Sequence, residues 1–127
     1  MRRSEQRRAA AVALYQEDVT GRPAAELLDR TATSFTRELV DGVAAERESL
    51  DALIERHSVR WTLDRIAPLE RNILRVALFE LLHRPDVPAA VAIDEAVEAA
   101  KELCGTDAPS FVNGILGAAH REAVASR

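Results

Sequence analysis

The chain has 127 residues, of which 47% are hydrophobic and 30% are charged, and its formal net charge is -4. This length and balance fit one globular domain with a real core and exclude a disordered chain. No run of about 18 apolar residues occurs, which excludes a membrane-spanning helix. The single cysteine, Cys104, excludes an internal disulfide and fits a reducing cytoplasm.

Helical periodicity runs along almost the whole chain, and no segment alternates convincingly with a period of two. A first helix is expected over about 4–19, with Ser4 as its N-cap and Gly21 as its stop. A short second helix can start at Pro23. A long third helix is expected over about 34–57, because its apolar residues form one stripe.

The second half of the chain begins with the stretch "VRWTLDRIAP", which predicts a linker with one helical turn capped by Thr62. Pro68 opens a fourth helix, "PLERNILRVALFELLHR", which is apolar around most of its circumference and should be the central buried helix. The prolines of "RPDVPAA" stop it. A fifth helix is expected in "VAIDEAVEAAKELCG" and a last one over about 109–124. The pattern predicts an all-α bundle of about six or seven helices.

Positive charge is concentrated at the start of the chain. The first eight residues contain four arginines and one acid, namely Arg2, Arg3, Arg7, Arg8 and Glu5. A local basic cluster attracts phosphate even when the protein as a whole is acidic. The cluster therefore indicates nucleic-acid binding. The alternative is that these arginines form a solvated, frayed chain end.

A second pair of arginines lies on the fourth predicted helix. Arg71 and Arg75 are four residues apart and point the same way, and Phe79 continues the strip one turn later. Guanidinium groups beside an aromatic ring suit a phosphate backbone and an unstacked base. The alternative is that the two arginines pair with semi-buried carboxylates such as Glu70 or Glu80.

Nothing in the sequence predicts catalysis, a metal site or a cofactor. The three histidines are too widely separated for a zinc motif, and the five glycines are isolated, so no glycine-rich phosphate loop exists. The acids around Lys101 on the fifth helix are typical of a solvated face. We therefore expect a protein that is not an enzyme and that needs no cofactor.

Several ordered motifs resemble one known family. They are "ERNILRVALFEL", "DVPAAVAIDEAVEAAKEL" and "FVNGIL", preceded by the arginine-rich opening "RRSEQRRAAAVALYQ". Over about residues 3–120 they resemble the NusB family of bacterial transcription antitermination factors. The resemblance implies an all-helical fold with two small subdomains, here about 1–58 and 62–124, and no enzymatic activity. It also implies binding to the boxA element of nascent RNA, chiefly from ribosomal RNA operons.

The resemblance further implies partners. The family acts with NusE, a ribosomal small-subunit protein, in a complex that helps RNA polymerase read through terminators. Glu70 falls at the family's acid before the "ILR" run and is assigned to the NusE contact, together with Phe79 and Arg75. No membrane is implied, and the chain could be a monomer or a homodimer.

The RNA-binding residues are assigned in the same way where they match the family's motifs. Arg3 and Arg7 match its opening motif, and Arg2 and Arg8 extend the basic cluster. The turn and helix near the RNA side contain Asp107, Phe111 and Asn113. The fourth helix adds Arg71 and Arg75 to the predicted RNA-binding set.

Two other functions stay open at this point. The chain could be the RNA-binding domain of a protein related to ribosomal RNA methyltransferases, although it has no glycine-rich cofactor motif and no second domain. It could also be a non-catalytic helical adaptor that acts only through protein–protein contacts. Binding of a boxA-type RNA separates both from an antitermination factor.

Overall fold

The computed structural model describes residues 2–59 and 61–126. Within these ranges it contains no strand and consists of α-helices joined by short loops and one 3-10 turn over Leu63–Arg65. The helices are α1 (Arg3–Thr20), α2 (Ala24–Leu27), α3 (Ser34–His57), α4 (Pro68–His83), α5 (Ala89–Leu103) and α6 (Ala108–Ala125). The predicted all-α class is confirmed. The division into two subdomains near 58–62 stays a prediction.

None of the helices in the described ranges combines the length and apolar character that a bilayer crossing requires.

The predicted helix bounds hold to within about two residues. The predicted cap Ser4 is wrong, and Thr62 occupies its predicted N-cap position without a capping side-chain bond. Helix α1 begins before Ser4, because the backbone amides of Glu5 and Gln6 already donate to the carbonyl of Arg2, each at 3.1 Å. Ser4 therefore lies inside the first turn. Thr62 does precede the 3-10 turn, but its hydroxyl donates to the Asp64 carboxylate at 2.6 Å and caps no backbone amide.

Three helix ends have clear local causes. Gly21 adopts φ +80°, a left-handed conformation that favours glycine, and its amide donates to the Glu17 carbonyl at 2.8 Å, which ends α1. Thr33 caps α3, because its hydroxyl accepts from the Thr36 amide at 3.2 Å. Pro68 occupies the first turn of α4, where no amide hydrogen is needed.

Helix α4 is the central helix, as predicted. It packs against α1, α3, α5 and α6, and every residue over 72–80 is buried. Gly42 of α3 faces α4, and a Cβ atom at this position would overlap the ring of Phe79. This buried frame fixes the N-terminus of α1 beside the C-terminal end of α4, and the start of α6 beside the start of α4.

Candidate functional site

The arginine-rich start of α1 is not a uniform basic strip. Arg7 donates from Nε and Nη2 to the two carboxylate oxygens of Glu80, at 2.7 and 2.9 Å. The Glu80 side chain is only 1% exposed and that of Arg7 is 11% exposed. The Arg8 guanidinium lies 3.5 Å from the Glu102 carboxylate of α5. Two of the four arginines are therefore engaged with carboxylates of α4 and α5.

Arg2 and Arg3 are the exposed members of this group. Arg2 lies 3.7 Å from Glu5 with both side chains largely in solvent, a geometry that holds an ion pair only weakly. The Arg3 guanidinium stands 4.1 Å from the ring centroid of Phe35, and no carboxylate of a described residue lies within 4 Å of it. The ring contact holds this exposed cation beside Phe35.

Arg84 joins the same cluster, although nothing in the sequence pattern predicts this. The guanidinium carbons of Arg84 and Arg7 lie 5.3 and 5.4 Å from the Phe35 ring centroid, so three cations surround one phenyl ring. Arg84 also donates to both oxygens of Asp86, at 3.0 and 2.9 Å. These hydrogen bonds lower the pKa of Asp86 to about 2. The loop after α4 is thereby tied to the N-terminal cluster.

Arg71 and Arg75 lie in a charged network inside the bundle. Arg75 donates to both oxygens of Asp51, at 2.7 and 3.0 Å, and to one oxygen of Asp18 at 3.0 Å. It also donates to Asn72 at 2.9 Å, and its side chain is 5% exposed. Arg71 donates to Asp18 at 3.2 Å. The placement favours the ion-pair alternative for both arginines over contact with RNA.

The partners of these arginines are not the ones that the sequence suggested. Glu80 pairs with Arg7, and Glu70 has no cation within 4 Å among the described residues. Asp18 contributes from α1 and Asp51 from α3, far away along the chain. Burial alone would raise the pKa of Asp18, but the Asn72 hydrogen bond and the neighbouring arginines, Arg75 first among them, together lower it. The network therefore joins three helices as a structural unit.

Phe79 also belongs to the interior. Its side chain is buried against Gly42 of α3, and its ring centroid lies 5.3 Å from that of His83. A ring enclosed in this way fills the gap that the glycine leaves. This position favours a packing role for Phe79 over the predicted contact with NusE.

A surface pocket lies where the linker before α4, the start of α4 and the start of α6 meet. It is lined by two aromatic rings, two carboxylates and two small residues, namely Trp61, Phe111, Glu70, Asp107, Ala108 and Ser110. No basic side chain of a described residue lines it. The structure thus brings Glu70, predicted for NusE, together with Asp107 and Phe111, predicted for RNA. Asn113 is exposed on α6 outside this lining.

Glu70 is the half-buried carboxylate of this pocket. Burial raises the pKa of Glu70, and no ion pair within the described ranges compensates for it. Burial also raises the pKa of the Cys104 thiol, with a smaller contribution from the Glu70 charge, which places the two side chains near each other. A carboxylate that is partly desolvated and uncompensated is an acceptor for hydrogen-bond donors from a ligand.

Trp61 is a pocket residue that the sequence analysis missed. Its side chain is 45% exposed. The linker that contains it has no helical periodicity, so no core face explains an indole there. That mismatch, a large ring in a non-periodic segment, is the signal that could have identified it.

Among the described residues, no group of three or more histidine, cysteine or acidic side chains is close enough to hold a metal ion. His57 lies 3.3 Å from Glu122, which also pairs with Arg56 at 2.7 Å. This contact links the end of α3 to α6.

Comparison with known proteins identifies close relatives along most of the sequence. The sequence model of the NusB family matches residues 4–121. The transcription antitermination protein NusB of Rubrobacter xylanophilus is 45% identical over 122 residues, which cover 91% of this chain and 88% of the relative. That of Myxococcus xanthus is 43% identical over 123 residues, covering 87% and 88%.

Solved structures show the same fold. NusB of T. maritima aligns with a TM-score of 0.86 and 33% identity, covering 96% of this chain and 92% of that one. A chain from a crystal structure of the antitermination factors NusB and NusE in complex with dsRNA aligns with a TM-score of 0.82 and 28% identity. That alignment covers 96% of this chain and 99% of the other.

Proposed function

Because the chain belongs to the NusB family of transcription antitermination proteins, we propose that it binds the boxA element of nascent RNA together with NusE. In this role it promotes read-through by RNA polymerase in the cytoplasm, chiefly on ribosomal RNA operons. The structure of relatives in complex with NusE and RNA supports both partners. The family assignment gives the role, and the geometry suggests how the RNA is held.

The pocket at the start of α6 is the observation that carries this proposal. Its lining combines the rings of Trp61 and Phe111 with the carboxylates of Glu70 and Asp107. Carboxylates repel phosphate, so the backbone of an RNA does not enter. Aromatic rings stack on unstacked bases, and carboxylates accept hydrogen bonds from base amino groups. The lining therefore suits bases of a single-stranded RNA.

The exposed arginines of α1 supply the complementary contact. Arg2 and Arg3 present charge outward, while Arg7 and Arg8 are engaged with Glu80 and Glu102. Phosphate contacts give affinity without sequence choice, and base contacts give the choice. We assign the phosphate contacts to Arg2 and Arg3, and we assign to Arg7 the task of holding α1 in place.

The NusE contact rests on the family relationship. Phe79 and Arg75, which the resemblance assigned to it, are buried side chains, and Glu70 lies in the pocket with Phe111. We therefore move Glu70 to the RNA side, as an acceptor for a base. NusE remains the proposed protein partner through a surface that does not include Phe79 or Arg75.

The test is fluorescence anisotropy of a labelled boxA-type RNA, measured with and without NusE over a range of salt concentrations. In the variant Arg2→Ala/Arg3→Ala we expect weaker binding and a log–log salt slope that is shallower by about 1.4, from about 0.7 for each lost contact to a single strand. The matched control is Arg22→Ala/Arg30→Ala, which removes two exposed arginines from the loops around α2 and changes the net charge equally.

Two further arms test whether the binding is specific. A scrambled RNA and a duplex of the same composition should bind more weakly than the single-stranded boxA RNA. If the control pair weakened binding as much as Arg2 and Arg3, the effect would be one of net charge alone. If the chain bound NusE but no RNA at low salt, the helical adaptor would be the correct function.

A further inference from the structure

We propose that Trp61 is a base-stacking residue of the RNA pocket, which together with Phe111 receives an unpaired base that carries an amino group. This inference rests on the proposed function, since it names the group that the same pocket recognises. Neither the helical pattern nor the family motifs quoted above include Trp61.

The exposure of Trp61 is the first observation behind it. An indole contributes much to stability when it is buried, yet here 45% of the side chain faces solvent. In the described part of the chain, the ring–ring contact is between Phe79 and His83, and Trp61 stacks on no other ring. The exposed part of the indole therefore has no aromatic partner within the described ranges and can contact a planar ligand.

The linker nevertheless holds Trp61 in a defined place. The Ser58 hydroxyl donates to the Trp61 carbonyl at 2.6 Å and lies 3.3 Å from the Trp61 amide, which donates to it. Two residues later, the Leu63 amide lies 3.4 Å from a Glu55 carboxylate oxygen. These bonds hold the backbone at Trp61 and Leu63 against the end of α3. The backbone that presents the indole is thus ordered before a base arrives, which lowers the entropy lost on binding.

The carboxylates determine which base fits. When they are ionised, the carboxylates of Glu70 and Asp107 can accept hydrogen bonds but cannot donate them. They therefore pair with the amino groups of cytosine, adenine or guanine. Uracil has no amino group, and the single N3–H donor on its pairing edge is flanked by two carbonyl oxygens that would face the carboxylates unfavourably. Stacking itself tolerates any base. The two features together select an amino-bearing base over uracil.

The test uses the fact that Trp61 is the single tryptophan of the chain. Its intrinsic fluorescence therefore reports on the pocket without a label. We expect boxA RNA to quench this fluorescence, and the quenching should saturate at the RNA concentration at which the anisotropy of labelled RNA saturates. In a series of RNAs with single replacements by uracil, one position should lose most of the quenching.

Substitutions give a second readout. Trp61→Ala should weaken RNA binding about 5- to 150-fold, the range expected for loss of one stacked base. Trp61→Phe should recover most of that loss, because it keeps a ring. Val124→Ala, which changes another exposed apolar residue far along α6, should leave binding unchanged.

The possible failures are distinguishable. Anisotropy that rises without quenching would overturn the stacking of Trp61 and leave the proposed function intact. A chain that shows neither signal would overturn the proposed function. Quenching by NusE alone, with none by RNA, would make Trp61 part of the protein–protein contact and overturn the inference.

Discussion

The interior of the bundle and the pocket at the start of α6 differ in whether their carboxylates are paired with cations. Inside, Glu80 is paired with Arg7, and Asp18 and Asp51 are paired with Arg75. In the pocket, Glu70 is half-buried and has no cation within 4 Å among the described residues. The same residue types are thus compensated in one region and left uncompensated in the other.

This difference separates structural charges from functional ones. A buried charge is tolerated when its partner is in place and is costly when it is not. The interior pairs connect three helices, α1, α3 and α4, without contacting any ligand. The uncompensated Glu70 lowers stability in the free protein, and a bound donor would relieve that cost. The pocket is therefore where we expect a partner.

The largest effect is expected when one partner of an interior ion pair is removed, which tests whether these pairs are structural. Arg7→Ala removes the ion-pair partner of Glu80, whose side chain is only 1% exposed, and we expect it to lower the free energy of unfolding by about 3–5 kcal/mol. Arg3→Ala, one turn earlier, removes only a ring contact and should cost about 0.5–1 kcal/mol. Denaturant titrations of the two variants measure the difference.

A double variant tests the reason for that loss. Arg7→Met/Glu80→Met removes both charges and keeps similar volume, so it should recover most of the stability that Arg7→Ala loses. Equal losses in Arg7→Ala and Arg3→Ala would contradict the assignment of Arg7 to the interior. They would restore the predicted RNA role for Arg7.

A loss of stability of intermediate size is expected where Gly42 of α3 packs against the buried ring of Phe79. Gly42→Ala places a methyl group against the buried ring of Phe79, which cannot move away between α3 and α4. We expect a loss of about 1–3 kcal/mol in the free energy of unfolding. Gly114→Ala is the control, because its Cβ meets open space on α6 and alanine favours a helix by about 0.8–1 kcal/mol. A stable Gly42→Ala variant would show that the two helices can separate.

The helices could be predicted from the sequence because their signals are local. Apolar spacing gave α3 and α4, and a glycine marked the end of α1, each within one or two residues along the chain. The roles of the arginines could not be predicted in this way. The carboxylates that pair with Arg7 and Arg75 lie 73 and 24 residues away along the chain. Whether these arginines form ion pairs or face solvent therefore depends on how the helices pack.

Half of the candidate site was accessible from the sequence. Phe111 and Asp107 were found by their motif, whereas Trp61 lies in a linker where periodicity carries no information. Arg3 and Arg7 looked alike, one turn apart on the same helix. Only the position of Glu80, brought to α1 by the antiparallel packing of α4, distinguishes them.

The smallest change in stability is expected in the pocket, at the unpaired carboxylate of Glu70. Burial raises the pKa of Glu70 in the folded state above its unfolded value, so the ionised carboxylate weakens the fold at neutral pH. This cost disappears as the pH falls through the folded-state pKa. Glu70→Gln removes the cost at every pH. We expect it to raise the free energy of unfolding at neutral pH by about 0.5 kcal/mol or less, and the gain should shrink as the pH is lowered.

Asp18→Asn is the matched control for this prediction, because the pKa of Asp18 is lowered although burial opposes it. That carboxylate stabilises the fold above its unfolded pKa, and the contribution is lost as the pH falls through the folded-state value. Asp18→Asn should therefore destabilise the protein at neutral pH, while Glu70→Gln should not. Unfolding measured over a pH series separates the two, and a destabilised Glu70→Gln variant would mean that Glu70 is a structural ion-pair partner. If Glu70→Gln instead keeps its stability and binds boxA RNA more weakly, the carboxylate is held in the pocket for the RNA.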